Sequence, residues 1–449
     1  MEPIFIAIFI AWGILIYNYP RLFLVILSAT FPLYLWKFSF YGIPFTFTEW
    51  LVYSSAVFLV LLKRKDILKY LNGIKVSVLY KRIDFWVLLF FVLSLISVFV
   101  SPVQFRNESF GILKGWIFAP ILYFFIVKGM SKQAWDVRRY LDAYAFSAVV
   151  LSMWGIYQFI NGFLVDNRAT GPFTSANYLA FFIAPAFVYA GISAWQNIRT
   201  IHVPWYKKIF IKLFRKEIDE ASMAMFFMYL AAALITGFSL IATNSYGAFI
   251  GVFFAFLCYG IYHFFYSPWK GNKKSAWQKI VMFAVLVILI FALLIPQLDA
   301  WKFKTVLQTT GTSSTAIRME TYEVALKMIQ RAPVQGIGLG QFENVYKSDA
   351  AKLLGRPPVR PDVLHAHNLY LSFWLYTGIL GLAVMLVILV NFFMSLKGLS
   401  DGKKGMVVIL FSMMIVILVH GLVDTPFWKN DLAMQFFMIL GTGFGLAKK

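Results

Sequence analysis

Four groups of side chains in this 449-residue sequence have types and spacings suited to chemistry. Arg168 lies in NRATGPFTSANYLAFF, where Gly171 and Pro172 close a loop and Thr174 or Ser175 can cap a helix beginning near Asn177. An arginine beside a helix N-terminus makes an anion site from a guanidinium and free backbone N–H groups. An interfacial arginine that snorkels to lipid headgroups has the same sequence signature. Arg318 lies in TAIRMETYEVALKMIQRAP. Ser313, Ser314 and Thr315 offer caps, Ala332 and Pro333 supply a stop, and Arg318, Tyr322, Ala325 and Ile329 share one helical face. That face either binds an anion or rests on a membrane with its arginine turned to the headgroups.

The third group is His365, His367 and Asn368 in HAHN. Histidines two residues apart share a face only in extended structure. They allow two metal ligands, but no adjacent Asp, Glu or Cys completes a set, so no metal is expected. An ordinary imidazole pKa of about 6.5 makes one histidine a candidate base at neutral pH and Asn368 a candidate substrate contact. A pair of interfacial histidines is the alternative. The fourth group, His420 and Asp424 in HGLVDTPFWKND, has i, i+4 spacing at the end of an apolar run. Ionisable groups there are functional candidates, or they pin a hairpin between two spans. The glycine-rich GIGLGQF at 336–342 is a poor phosphate loop, with no preceding hydrophobic strand and no Lys-Ser/Thr. It reads as a tight turn between the Arg318 helix and a second helix in FENVYKSDAAKLLG.

The elements that must position these groups are apolar. Hydrophobic residues make up 60% of the chain and charged ones 14%, against about 25% charged in soluble domains. Thirteen apolar runs match a hydrocarbon core about 30 Å thick: 3–17, 21–36, 46–62, 84–100, 112–127, 140–160, 177–195, 223–242, 246–266, 278–295, 369–393, 405–423 and 432–446. If the first two form one span, the total is twelve. The runs are continuously apolar, which favours helices over a β-barrel. The expected fold is an all-α polytopic membrane protein with 12–13 transmembrane helices. Residues 1–296 hold the first ten, 297–368 form one long, partly helical external loop, and 369–449 hold the last three. The N-terminus has no basic region before its apolar run and reads as a retained span.

The net charge of +21 does not point to nucleic acid, because the basic residues are distributed as a membrane topology requires. Connectors 63–82, 128–139, 199–216, 270–279 and 397–404 hold 7, 4, 6, 4 and 3 Lys or Arg, and the alternate connectors hold very few. The positive-inside rule makes the rich set cytoplasmic and puts 297–368 outside. Residues 199–220, which mix aromatic and basic side chains, read as an amphipathic helix on an anionic leaflet or as a solvated basic loop. The single cysteine, Cys258, excludes an intrachain disulfide.

Arg168-Ala-Thr-Gly followed by Asn177-Tyr-Leu-Ala, the Arg318 helix running through Pro333 into GIGLGQF, and His367-Asn368-Leu-Tyr-Leu followed by Gly378 and Gly381 together resemble the O-antigen ligase family. The resemblance runs from about Arg168 onward and rests on the order and spacing of weak motifs. It implies a fold similar to other glycosyltransferases of the GT-C type. It also implies metal-independent, cofactor-free transfer of a glycan from a polyprenyl diphosphate, usually undecaprenyl, to a hydroxyl acceptor on lipid A core, another glycan, a lipid or a protein. The setting implied is the periplasmic face of a bacterial inner membrane, in lipopolysaccharide or related cell-envelope biosynthesis. By the same resemblance Arg168 and Arg318 hold the diphosphate and His367 is the base; Asn368, Tyr322 and His365, beside them in the sequence or on the Arg318 face, are candidate substrate contacts. One departure stands out. The family commonly has Ser-Arg where this chain has Ser245-Tyr246, which makes Tyr246 a candidate sugar contact and Arg106 a candidate replacement for the missing charge. A polymerase of the same family and a flippase of lipid-linked glycans are the competing functions. A wall-glycan polymerase would need an external carboxylate, for which only Asp424 and Glu108 stand in short loops.

Overall fold

The computed structural model describes residues 2–65, 69, 82–200, 220–266, 313–397, 399 and 401–447. The expected span at 278–295 and the connector 270–279 lie outside the described residues, as do most of 63–82, most of the amphipathic stretch 199–220, and residues 297–312.

The protein is an all-α polytopic membrane protein. Among the described residues, six helices are long and apolar enough to cross a membrane: Ile83–Val100, Val103–Met130, Ala134–Ile160, Ala176–Asn197, Ala221–Thr243 and Leu369–Lys397. Pro3–Asn18, Phe47–Leu62, Tyr246–Tyr262 and Lys404–His420 are shorter apolar helices. Two expectations need correction. Residues 21–36 do not form a span. Leu22–Ala29 is an eight-residue helix, about 12 Å long at 1.5 Å per residue. A 3₁₀ turn over Phe31–Leu35 follows, with Pro32 in its first turn. The chain then reverses through a two-stranded hairpin, Lys37–Phe40 against Ile43–Thr46. Tyr41 and Gly42, both at positive φ, form the turn, as a type I′ hairpin requires. The run at 112–127 is also longer than expected, extending over Val103–Met130 with a π-helical turn at Leu113–Phe118.

The chain forms two compact units. The first comprises Met1–Lys132, Ile288–Leu399 and Leu418–Lys449. Its centre is the last helix, Asn430–Ala447, which is buried from Asn430 through Leu446. A Cβ on Gly441 would lie 3.0 Å from the Phe124 carbonyl oxygen, and one on Gly445 2.8 Å from that of Ser131. Small residues at this four-residue spacing let two helix backbones approach within the membrane. The start of the last helix is tied down by a polar cluster. Buried Glu49 accepts from Lys114 at 2.9 Å and from Asn430 Nδ2 at 2.6 Å, and forms a capping box with Thr46. Trp116 Nε1 donates to Asn430 Oδ1 at 2.9 Å. Each polar atom of this cluster has a partner, which is what burial demands.

The second unit comprises Gln133–Val287 and Ser400–Ile417. Its helices Ala134–Ile160, Ala176–Thr200 and Glu220–Thr243 pack together. Asp142 on the first accepts hydrogen bonds from Tyr189 on the second and from Tyr229, at 2.7 Å, on the third. An acid inside apolar helices is tolerated when it is hydrogen-bonded in this way.

Candidate active site

The Arg318 helix spans Ser314–Arg331, with Ser313 as N-cap accepting from Ala316 N at 3.0 Å. Its buried face includes Val324, Ala325, Met328 and Ile329; of the expected face Ala325 and Ile329 are buried, while Arg318 and Tyr322 are half-buried. After Pro333 the glycine-rich stretch forms the expected turn and leads into a helix at Phe342–Leu354. The turn is wedged against neighbouring backbone. Gly338 has φ +100°, and a Cβ there would come within 2.7 Å of the Ser101 Cα. Ile337 N donates to Leu375 O at 2.8 Å, and Ile379 N donates to Pro333 O at 3.2 Å. These bonds become available because the helix Leu369–Lys397 breaks at Gly378, where φ is 70° and ψ 178°. The break frees backbone groups inside the helix, and the turn satisfies them.

The loop that follows is laced back onto the Arg318 helix. Buried Glu320 accepts from Val359 N at 2.7 Å and pairs with Arg356. Lys327 donates to Leu353 O at 2.9 Å. Tyr322 Oη donates to His367 O at 2.9 Å. His367 has φ +47°, so HAHN is not extended and the two histidines do not line one face of a strand. Asn368 caps the next helix, accepting from Tyr370 N and Leu371 N at 3.0 Å each, while its Nδ2 donates to Leu422 O at 2.9 Å. Its side chain thus fixes the loop at the helix start. Leu369 N donates to Gly421 O at 2.7 Å, which draws the 421–429 loop alongside.

This juxtaposition brings His367 to Asp424. Nδ1 of His367 lies 3.2 Å from Oδ1 of Asp424. Asp424 is only 4% exposed, and its Oδ1 also accepts from Thr425 N at 3.0 Å. Burial opposes its charge, but His367, then Arg318 and His420, outweigh burial and hold the carboxyl below the usual carboxylate range. An ionised Asp424 can only accept, so His367 Nδ1 donates to it. In the neutral imidazole that tautomer carries its lone pair on Nε2. Burial, and then the neighbouring His367, push His365 down to about 4, so His365 is neutral at pH 7.

Arg318 is half-buried and forms no hydrogen bond or ion pair among the described residues. Its charge acts on both Asp424 and Tyr322. Arg318, Tyr322, His365, His367 and Asn368 therefore meet in one unit, together with Asp424. Sequence reasoning singled out Asp424 but paired it with His420; nothing in the spacing reveals that a residue 57 positions from His367 is its partner.

Arg106 donates from Nη2 to Phe99 O at 3.0 Å and from Nε to Ser101 O at 3.3 Å. It therefore covers carbonyls at the end of Ile83–Val100. Arg168 belongs to the second unit. Asp166 and Asn167, both at positive φ, turn the chain so that Val165 and Arg168 pair. The Arg168 side chain donates to Thr243 O at 2.6 Å and to Asn177 Oδ1. Ser175 caps the following helix by accepting from Asn177 N at 3.3 Å, as expected. Tyr246 begins the helix Tyr246–Tyr266, and its buried hydroxyl makes no hydrogen bond among the described residues. No group of three or more His, Cys, Asp or Glu side chains among the described residues is placed to hold a metal ion.

The long apolar helices define a multi-pass membrane protein, and one of its units holds a histidine bonded to a buried aspartate on which Arg318 also acts. Comparison narrows the class: residues 231–386 match the family model described as O-antigen ligase. The match covers about a third of the chain. The matched segment includes Tyr246, Arg318, the glycine-rich turn, His365, His367 and Asn368. Arg106, Arg168 and Asp424 lie outside it. No curated protein matches the chain.

Proposed function

We propose that this protein transfers a glycan from a polyprenyl-diphosphate carrier to a hydroxyl acceptor at the outer face of a bacterial inner membrane. The observation that carries the reading is the His367–Asp424 pair beside Arg318, on elements that the family match includes or adjoins. In this reading His367 Nε2 takes the acceptor hydroxyl proton as the acceptor oxygen attacks the anomeric carbon. The bond from that carbon to the diphosphate breaks, and the electron pair leaves with the diphosphate. Asp424 holds the imidazole in the required tautomer and stabilises the imidazolium that forms, the role an aspartate plays toward a histidine base elsewhere. Arg318 meets the growing charge on the leaving diphosphate, where charge-assisted guanidinium contacts are strong. Inversion at the anomeric carbon follows by family analogy, as do a GT-C fold and the undecaprenyl carrier. The resemblance alone would add Arg168 as a diphosphate ligand; its bonds to Thr243 O and Asn177 Oδ1 favour a structural role, and the reaction as proposed does not use it.

A transporter would use broken helices to bind its cargo. The break at Gly378 supports docking of the glycine-rich turn instead, through Ile337 and Ile379. Purified protein given an undecaprenyl-diphosphate glycan and separate candidate acceptors distinguishes the functions. A ligase yields an acceptor of increased mass. A polymerase yields a longer glycan still on its carrier. Carrier movement across a bilayer without any change of mass contradicts the proposal.

A further inference from the structure

In the first unit the helices Pro3–Asn18 and Phe47–Leu62 run side by side in the same direction. Phe5 meets Trp50 near the start of both, and Phe9 meets Phe58 further along. Toward their ends they enclose a groove of about 450 Å³ whose lining includes Ile10, Gly13, Ile14, Tyr17, Phe58 and Leu62. Small-ligand sites commonly have volumes of about 300–1,000 Å³. A Cβ on Gly13 would collide with the Phe58 ring, so a side chain at position 13 would push that ring into the groove. Ile10 and Ile14 are exposed, at 55% and 58%, on a helix apolar enough to face lipid. The amide of Asn18 is turned back onto its own helix, donating to Ile14 O at 3.0 Å. What the groove offers a ligand is therefore a hydrocarbon surface.

One end of the groove is different. Tyr17 is 70% exposed there and Tyr19 61%, and exposed tyrosines at the end of an apolar helix mark the level of lipid headgroups. Leu62, in the lining, is followed directly by Lys63, Arg64 and Lys65, all exposed. Their side chains form no hydrogen bond or ion pair among the described residues. Through position 69 the sequence sets Lys63, Arg64, Lys65 and Lys69 against the single acid Asp66. The positive-inside rule puts this connector on the cytoplasmic side, opposite the His367 loop. The cytoplasmic leaflet carries anionic lipids that attract basic clusters at its surface. A hydrocarbon groove that ends on three cations at headgroup level presents, in order, what the acyl chain and the charged headgroup of an anionic phospholipid need.

We infer that this groove holds an acyl chain of an anionic phospholipid of the cytoplasmic leaflet, with its headgroup on Lys63, Arg64 and Lys65. The site lies apart from the His367 loop and does not depend on the proposed transfer.

The full chain in detergent is titrated with phosphatidylglycerol or with phosphatidylcholine of identical acyl chains, and bound lipid is counted by native mass spectrometry. The proteins are the parent, the triple variant Lys63→Gln, Arg64→Gln, Lys65→Gln, and Ile14→Trp. All four substitutions fall at exposed positions, and the thermal midpoint of each protein without lipid checks its folding. Three cations at the headgroup predict that the parent prefers phosphatidylglycerol by about tenfold or more. The triple variant loses that preference and binds phosphatidylcholine as the parent does. Ile14→Trp fills the groove and weakens both lipids by about fivefold or more, with their ratio unchanged. Phosphatidylglycerol also raises the thermal midpoint of the parent more than that of the triple variant, because a ligand stabilises the state that binds it. Equal affinity of the parent for the two lipids overturns the inference, as does a triple variant that keeps the preference or an Ile14→Trp protein that binds as the parent does. Preference of the parent for undecaprenyl phosphate over phosphatidylglycerol assigns the groove to the carrier and overturns it too.

Discussion

Arg318 and Arg168 enter the sequence in similar settings, each near the start of a helix and each a candidate for holding a diphosphate, yet the structure treats them differently. Arg168 is bound to the Thr243 carbonyl and to Asn177, at the point where Ala169 N also donates to Ala242 O. It closes the end of the helix Glu220–Thr243 onto a tight turn. Arg318 forms no such bond among the described residues and instead acts electrostatically on Tyr322 and Asp424. Carbonyls at a helix C-terminus need donors, and an arginine that supplies them is already engaged. Whether a guanidinium is available to a substrate depends on the backbone around it, which spacing along the chain does not reveal.

The contrast yields predictions in descending size. His367→Ala removes the proton acceptor, and transfer falls by about 10²–10⁴-fold, read as product formed per mole of folded, membrane-inserted protein. Asp424→Asn keeps the side-chain shape but can favour the other imidazole tautomer. Transfer by this variant falls by about 10²-fold or more, with little change in donor KM. Retention of full activity by Asp424→Asn would mean that the pair with His367 is structural only. Arg318→Lys lowers transfer by about ten- to hundredfold, because one ammonium cannot reproduce a bidentate fork. Arg168→Lys sharpens the comparison from the other side. Losing bonds to Thr243 O and Asn177 costs about 1–3 kcal/mol of stability, measured as a lower midpoint of thermal unfolding in detergent. If Arg168→Lys abolishes transfer with an unchanged midpoint, the two arginines share one role and the contrast fails.

The smallest effect concerns pH. His365 is held down to about 4, against about 6.5 in an unfolded chain. Between these values the unfolded state binds more protons, so the contribution of His365 to stability is fully present above pH 6.5 and is lost as pH falls toward 4. His365→Gln should therefore lose less thermal stability than the parent on acidification from pH 7 to pH 5. An equal loss in both proteins removes His365 as a cause.

Much of this was legible in the sequence. Continuous apolar runs fixed the all-α membrane class. Ser313 and Pro333 bounded the Arg318 helix, GIGLGQF read as a turn, and Ser175 read as a cap. What could not be read depended on distant contacts. The run 21–36 is apolar enough to span, but Pro32 and the packing of Phe38 on Phe5 and Trp50 turn it into a short helix and a hairpin. That Asn368 caps the helix beginning at Leu369 likewise could not be read from its composition. Asp424 reaches His367 only because Leu369 N bonds Gly421 O and Asn368 bonds Leu422 O, contacts that follow from folding and not from spacing.

The central claim is that His367, oriented by Asp424, is the base for glycan transfer. The most direct test is a transfer assay with purified parent protein and purified His367→Ala, each given an undecaprenyl-diphosphate glycan and the acceptor that the parent uses, with product resolved by mass. The account predicts an acceptor of increased mass from the parent and none above background from a His367→Ala protein that is folded and still binds the donor. Equal product from both would contradict it.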